Sequence, residues 1–313
     1  MKLESVWQCH VKDVGNSAFD LILVASGYEL RAPHVAKMLQ DVEAKRRLAL
    51  GFSDRLVLAR EDNDKIFREL GFEIEMAEGD DGHAVEVAIE AASEEGGNTV
   101  RMLCDITSMT RVWYASLIKA LRARSCLGRR IELYFTYTPS GFTKPQTARP
   151  NTFMGAIDGF GGLAMPDRRT ALILGLGYEA QRALGLFDYV EPAVAYAFLA
   201  DPAIDPAFVS AAMRANDTLI QRLPDNHLVR YDFQNLFSTA TKLASLCSGL
   251  VEDHRVIVAP LGPKPFTLLA LLLAIRFPGI DVWRVSAGAE GNVYERPPLN
   301  GVVLGVGTEF VDA

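Results

Sequence analysis

The segment Asp105-Ile106-Thr107-Ser108-Met109-Thr110-Arg111 carries the residue types in this chain best suited to ligand chemistry. It closes a strand-like stretch, Thr99 to Ile106, and opens a helical one that runs through Ala123. Backbone N–H groups at a helix start have no intrahelical partners, and the dipole favours an anion there. Ser108 and Thr110 add hydroxyl donors, and Arg111 adds a guanidinium fork that matches a phosphate. Serine and threonine are also preferred N-caps, so an ordinary helix start accounts for the same residues. The glycine-lysine pattern of a P-loop is missing, which argues against a P-loop NTPase. A second turn, Pro260-Leu261-Gly262-Pro263-Lys264-Pro265, sits at the matching place later in the chain. Gly262 would let a ligand approach the backbone there, and Lys264 is the charged donor. A rigid proline turn with a solvated lysine is the plainer alternative.

Two identical tripeptides add to these turns. Gly27-Tyr28-Glu29 follows the apolar run Leu21 to Ala25, and Gly177-Tyr178-Glu179 follows the run Ala171 to Leu176. Open α/β sheets bind ligands at the carboxyl ends of their strands. Tyr28 or Tyr178 could stack on a base, and Glu29 or Glu179 could accept from an exocyclic amine or a ribose hydroxyl. A helix start with a glutamate in its first turn would look the same. Neither turn carries G-x-G-x-x-G, and Gly175-Leu176-Gly177 lacks the third glycine, which disfavours a dinucleotide oxidoreductase. The histidines (His10, His34, His83, His227, His254) and cysteines (Cys9, Cys104, Cys126, Cys247) form no metal-ligand spacing. No metal and no cofactor is expected, and no G-x-S-x-G elbow is present.

Positioning such turns requires alternating strands and helices. In the first half, the run at Leu21 to Ala25 reads as a parallel strand buried on both faces. A helical stretch is expected from Leu30 to Leu48, then a strand at Arg55 to Ala59, a helix at Asp62 to Leu70 and a short strand at Phe72 to Glu75. A helix at Gly82 to Ala92 precedes the Thr99 strand, and Ile131 to Tyr137 closes the series. The second half repeats the order. Strands are expected at Ala171 to Leu176, Ala193 to Leu199, His227 to Tyr231, Arg255 to Ala259 and Ile280 to Val285. Helices are expected at Pro206 to Arg222, Phe233 to Leu250 and Phe266 to Phe277. The shared tripeptide at the same ordinal place makes this an internal duplication. The fold expected is α/β, with two Rossmann-like parallel-sheet units, 1–150 and 151–313. A connection falls within 138–170, and the tail from Ser286 reads as irregular apart from a strand-like stretch at Gly301 to Leu304.

Composition bounds the partners. The chain has 313 residues, 49% hydrophobic and 23% charged, with a net charge of −7. That length suits two domains, and that charge disfavours general nucleic-acid binding. The start is polar, without a signal-peptide pattern, and the longest apolar run is too short to span a bilayer. A cytoplasmic protein without a membrane partner is expected.

The strand–Asp105-x-Thr107-x-x-Thr110–helix element resembles the late-strand motif of CARF domains. Two such units in one chain resemble the SAVED domain. The resemblance covers the layout of about 20–137 and 171–285. It implies Rossmann-like sensors of cyclic oligonucleotides in prokaryotic defence. The family turn often carries paired glycines and a lysine; here Ser108-Met109 and Arg111 stand in their places, and the second half keeps Gly262 and Lys264. No effector module is left over, so the resemblance implies action with a partner effector, or degradation of the signal. A homo-oligomer is the other assembly expected. The first expectation is thus a sensor of a nucleotide-type ligand bound where two halves meet. The alternatives are an enzyme on a nucleotide or phosphosugar, a phosphodiesterase or glycosyl-transfer activity using Glu29 or Asp105 as acid or base, and a scaffold with vestigial pockets.

Overall fold

The structure, a computed structural model, describes residues 1–14, 18–95, 97–124, 128–147, 151–162, 167–287, 293–299 and 301–312. Cys126 and residues 288–292 of the tail lie outside them. The chain divides into two compact units, Met1–Gly141 with Tyr294–Ala313, and Phe142–Val293.

In the first unit, β1 (Lys2–Cys9) and a short α1 (Val11–Val14) precede the repeating part. That part runs β2 (Phe19–Ser26), α2 (His34–Met38), β3 (Ala44–Phe52), α3 (Arg60–Glu69), β4 (Glu73–Ala77), α4 (His83–Glu95), β5 (Thr99–Asp105), α5 (Arg111–Ala123) and β6 (Arg130–Tyr137). In the second unit, β7 (Phe153–Ala156) precedes β8 (Arg169–Gly175), α6 (Arg182–Val190), β9 (Val194–Ala200), α7 (Pro206–Ala215), α8 (Asp217–Ile220), β10 (Leu228–Tyr231), α9 (Leu236–Leu250), β11 (His254–Pro260), α10 (Lys264–Arg276) and β12 (Ile280–Ser286). The last strand is β13 (Leu304–Val311).

The first sheet has seven strands in the order β1-β13-β6-β5-β2-β3-β4, and the second has six, β10-β9-β8-β11-β12-β7. Within each, five parallel strands share one topology: the first strand is central, the second and third lie to one side, the fourth and fifth to the other. The fold is therefore α/β, with two Rossmann-like units related by duplication. Its core follows from burial on both sheet faces. Leu21, Ile22, Leu23, Val24 and Ala25 of β2 are at most 1% exposed. In the second unit α10 is buried on every side, from Pro265 through Ala274, against α9, β11 and β12. None of the described helices is long and apolar enough to cross a membrane.

Three sequence expectations change. The tail belongs to the first unit: β13 pairs antiparallel with β6 and with β1. Its glycines suggest a loop, but they clear space inside the sheet. A Cβ on Gly305 would lie 2.5 Å from the Cys9 carbonyl oxygen, and one on Gly307 would strike the Trp7 ring. The 151–313 unit thus loses its last segment. The strands beside the two fifth strands are exchanged in sequence: β13 follows β12 but pairs with β6, while β7 follows β6 but pairs with β12. Second, the helix expected over Leu30 to Leu48 shrinks to α2, and Ala44–Phe52 is strand. The buried run Leu48 to Phe52 pairs with both β2 and β4, whereas Leu56, Val57 and Leu58 of the expected strand are 43–62% exposed in a loop. Third, α6 lies where no helix was expected.

Candidate functional site

In the order β6-β5-β2-β3-β4, the chain leaves β2 toward one side and β5 toward the other. Their carboxyl ends therefore diverge at a topological switch point, the place where open α/β sheets leave a crevice. The turn after β2 meets the turn after β5 there. A Cβ on Gly27 would lie 2.7 Å from Ser108 Cβ and 2.9 Å from its Oγ. Only glycine permits that approach. Asn63 of α3 fixes the turn from below. Its amide donates to the carbonyls of Gly27 at 2.8 Å and Glu29 at 2.9 Å.

The residues of the Asp105–Arg111 segment take separate roles. Asp105 is buried and accepts from Thr107 N at 3.3 Å, Thr107 Oγ1 at 2.6 Å and Thr136 Oγ1 at 3.1 Å. Thr107 Oγ1 in turn accepts from Thr138 N at 2.8 Å. These two residues lock the turn to β6. Thr110 is the N-cap of α5 and accepts from Trp113 N at 3.2 Å. Arg111 is the first residue of α5 and is half-buried. Ser108 differs from all of them: its Oγ is buried and has no hydrogen-bond partner among the described residues.

The Gly-Tyr-Glu turn carries the charge. Glu29 takes ion pairs from Arg31 and from Arg296, the latter at 3.3 Å. Arg31 is 3% exposed and also donates to the Thr138 carbonyl at 2.7 Å and Tyr137 Oη at 3.2 Å. Its backbone N donates to the Arg296 carbonyl at 3.2 Å, which ties residues 294–299 to this edge. Tyr28 is half-buried with the Arg55 guanidinium 6.0 Å from its ring centroid. Burial raises its phenol above the ordinary value and Glu29 adds to the rise, while Arg55 and Arg296 pull it down. The phenol thus remains a protonated donor at neutral pH.

The second unit repeats the backbone and changes the side chains. A Cβ on Gly177 would strike the Leu261 carbonyl oxygen, and one on Gly262 would lie 2.5 Å from the Leu176 carbonyl oxygen. The two turns meet backbone to backbone. Asn216 donates to the Gly177 carbonyl at 2.8 Å, the counterpart of Asn63. Tyr178 packs against Phe142 at 5.9 Å and Phe208 at 5.4 Å between centroids, and those two lie 5.2 Å apart. Glu179 pairs with Arg182 at 2.7 Å. Lys264 opens α10 and is half-buried.

Sequence reasoning missed Asn63, Asn216, Arg31, Arg55 and Arg296. The asparagines had a signal. Asn63-Asp64 and Asn216-Asp217 repeat one dipeptide, at separations of 36 and 39 residues from Gly27 and Gly177. Among the described residues no cluster of His, Cys, Asp or Glu could hold a metal ion.

No family model and no curated protein matches the sequence. Among solved structures, a Pseudomonas aeruginosa protein described as a universal stress protein is similar at 10% identity and a TM-score of 0.25, covering 85% of this chain and 92% of its own. The cytoplasmic domain of a prokaryotic cation chloride cotransporter is similar at 14% identity and a TM-score of 0.24, covering 88% and 98%. Both scores fall far below one half, so neither bears on ligand or activity.

Proposed function

We propose that this chain is a binding protein for a nucleotide-type ligand, seated at the carboxyl edge of its first sheet, and that it works as a sensor through a partner protein. The observation that carries the reading is the Ser108 hydroxyl, buried beside Gly27 at the switch point with no hydrogen-bond partner among the described residues. Buried polar atoms in folded proteins almost always have one. Tyr28, the residue after Gly27, and Arg55, whose guanidinium lies 6.0 Å from the tyrosine's ring centroid, offer a ring for a base and a fork for a phosphate. The resemblance to duplicated cyclic-oligonucleotide sensors supports the sensor role in prokaryotic defence.

The enzyme reading draws less support. It needs Glu29 or Asp105 as a proton carrier. Asp105 is fixed by three donors, and Glu29 is shared by two arginines. Carboxylates held this way position a backbone better than they shuttle protons.

The test is calorimetry with a nucleotide panel, followed by mass spectrometry of the ligand recovered. Binding with the ligand returned intact is expected. Arg111→Ala should weaken it by about 1.5–3 kcal/mol, the range for a hydrogen bond to a charged group, with little change in apo melting temperature. A chemically altered ligand would favour the enzyme, and no retention of any nucleotide would end the binding reading.

A further inference from the structure

Three guanidiniums crowd the Gly-Tyr-Glu turn of the first unit, in a chain whose net charge is −7. Among the described residues, ion pairs at this turn include Arg31–Glu29, Arg296–Glu29 and Arg55–Asp54. The third pair is loose, at 3.8 Å. Arg31 is committed to the interior. Arg55 and Arg296 keep 24% and 22% of their side chains exposed, and both act electrostatically on the Tyr28 phenol. They arrive from distant parts of the sequence. Arg55 sits on the loop after β3, the neighbour of β2, and Arg296 on the segment that leads into β13.

The loop that carries Arg55 is held in a costly shape. Leu58 has a φ of 52°, a left-handed conformation that leucine rarely adopts. That bend lets the next residue, Ala59, donate its N–H to the Tyr28 carbonyl at 3.2 Å. The loop also leaves Leu56, Val57 and Leu58 largely exposed. Strain of this kind persists where the surroundings over-determine it, and it clusters at ligand clamps. Its effect here is to pin Arg55 against Tyr28 in advance, which lowers the entropy lost on binding.

We propose that Arg55 and Arg296 form an anion clamp beside Tyr28, which takes the phosphate monoester or diester of the ligand. Planar guanidinium forks match two phosphate oxygens at once, and the Tyr28 hydroxyl donates a further hydrogen bond. Arg296 shares its charge between Glu29 and the phosphate. The proposal rests on the nucleotide reading and adds two guanidiniums to Arg111 in meeting the charged half of the ligand.

Calorimetry with three probes separates the two ideas: 5′-AMP, adenosine and inorganic pyrophosphate. Arg55→Gln is expected to weaken AMP at least about tenfold and to leave adenosine unchanged, and Arg55→Lys should recover part of the loss. Arg296→Gln should act the same way. Because Arg296 also pairs with Glu29, its melting temperature is measured alongside, and Arg55→Gln decides the matter if that variant is unstable. AMP affinity in Arg55→Gln equal to the unmodified protein overturns the clamp. If adenosine still binds in that case, the nucleotide reading survives it. Pyrophosphate binding that depends on Arg55, with no adenosine binding, supports the clamp and removes the nucleotide. Binding of none of the three overturns both.

Discussion

Thr107 and Ser108 are adjacent hydroxyl residues with opposite fates. Thr107 donates to Asp105 and accepts from Thr138 N, and it is fully buried. Ser108 has a buried hydroxyl that bonds to none of the described residues. Removing a shared hydroxyl strands its partners, while removing an unpartnered one relieves a cost. Thr107→Val should therefore lower stability by about 1–3 kcal/mol, and Ser108→Ala should hold or raise it while weakening the ligand. Denaturant titration with and without nucleotide checks both. A Ser108→Ala protein that is less stable and binds normally would mean that the hydroxyl serves the fold. A second residue-scale effect comes from the thiols. Burial pushes Cys247 up to about 12 and Cys9 up to about 11, with Asp13 adding at Cys9, from an ordinary value of 9.0. Cys104 is raised well above it by burial and by Asp105. Between those values the unfolded chain sheds thiol protons and the native chain keeps them. Stability is thus full below pH 9.0 and is lost as pH rises toward 12. A melting temperature lower at about pH 10.5 than at about pH 8 is expected, with a smaller drop in Cys247→Ala. An unchanged profile in that variant would clear Cys247 of the effect.

At the scale of elements, the helical segment after each second strand sends one asparagine under the Gly-Tyr-Glu turn, Asn63 from within α3 and Asn216 from the junction of α7 and α8. Asn63 holds two carbonyls in the first unit, and Asn216 holds the Gly177 carbonyl in the second. Asn63→Ala should cost about 1–3 kcal/mol by leaving those carbonyls buried and unmet. It should also loosen nucleotide binding, because the turn it fixes carries Tyr28. Asn216→Ala should cost stability alone. Melting curves and calorimetry on both variants test the difference, and equal loss of affinity in both would contradict it. The repeating layout was legible because strands buried on both faces must be apolar throughout, as Leu21 to Ala25 and Ala171 to Leu174 are. β3 was not, because Lys45-Arg46-Arg47 fill its solvent-reaching first half, while the exposed Leu56-Val57-Leu58 imitate a strand. β13 was hidden by Gly305 and Gly307, whose reason is the bulk of Cys9 and Trp7 on β1. The Gly27 and Ser108 turns could be placed together from strand order alone. Arg296 could not, since 267 residues separate it from Glu29 and nothing local announces the return of the chain.

The two units of the molecule share a strand order and differ in what fills the switch point. In the first, glycine meets a serine side chain, and the tyrosine faces arginines. In the second, glycine meets a backbone carbonyl, and the tyrosine joins a cluster with Phe142 and Phe208. A base needs a tyrosine face, and in the second unit the chain's own rings hold it. The carboxylate there is likewise paired locally, Glu179 with Arg182 only three residues on. The two frames thus place the same tripeptide in different surroundings, charged in the first unit and aromatic in the second. One ligand per chain is therefore expected by calorimetry. Tyr28→Ala should reduce affinity by about 1–3 kcal/mol, the worth of a base stacked on an aromatic ring. Tyr178→Ala should leave affinity unchanged and lower the melting temperature, since each aromatic pair contributes about 0.5–1.5 kcal/mol beyond its buried area. Two equivalents bound per chain, or a loss of affinity in Tyr178→Ala matching that in Tyr28→Ala, would show that the aromatic cluster opens to ligand and that both frames are in use.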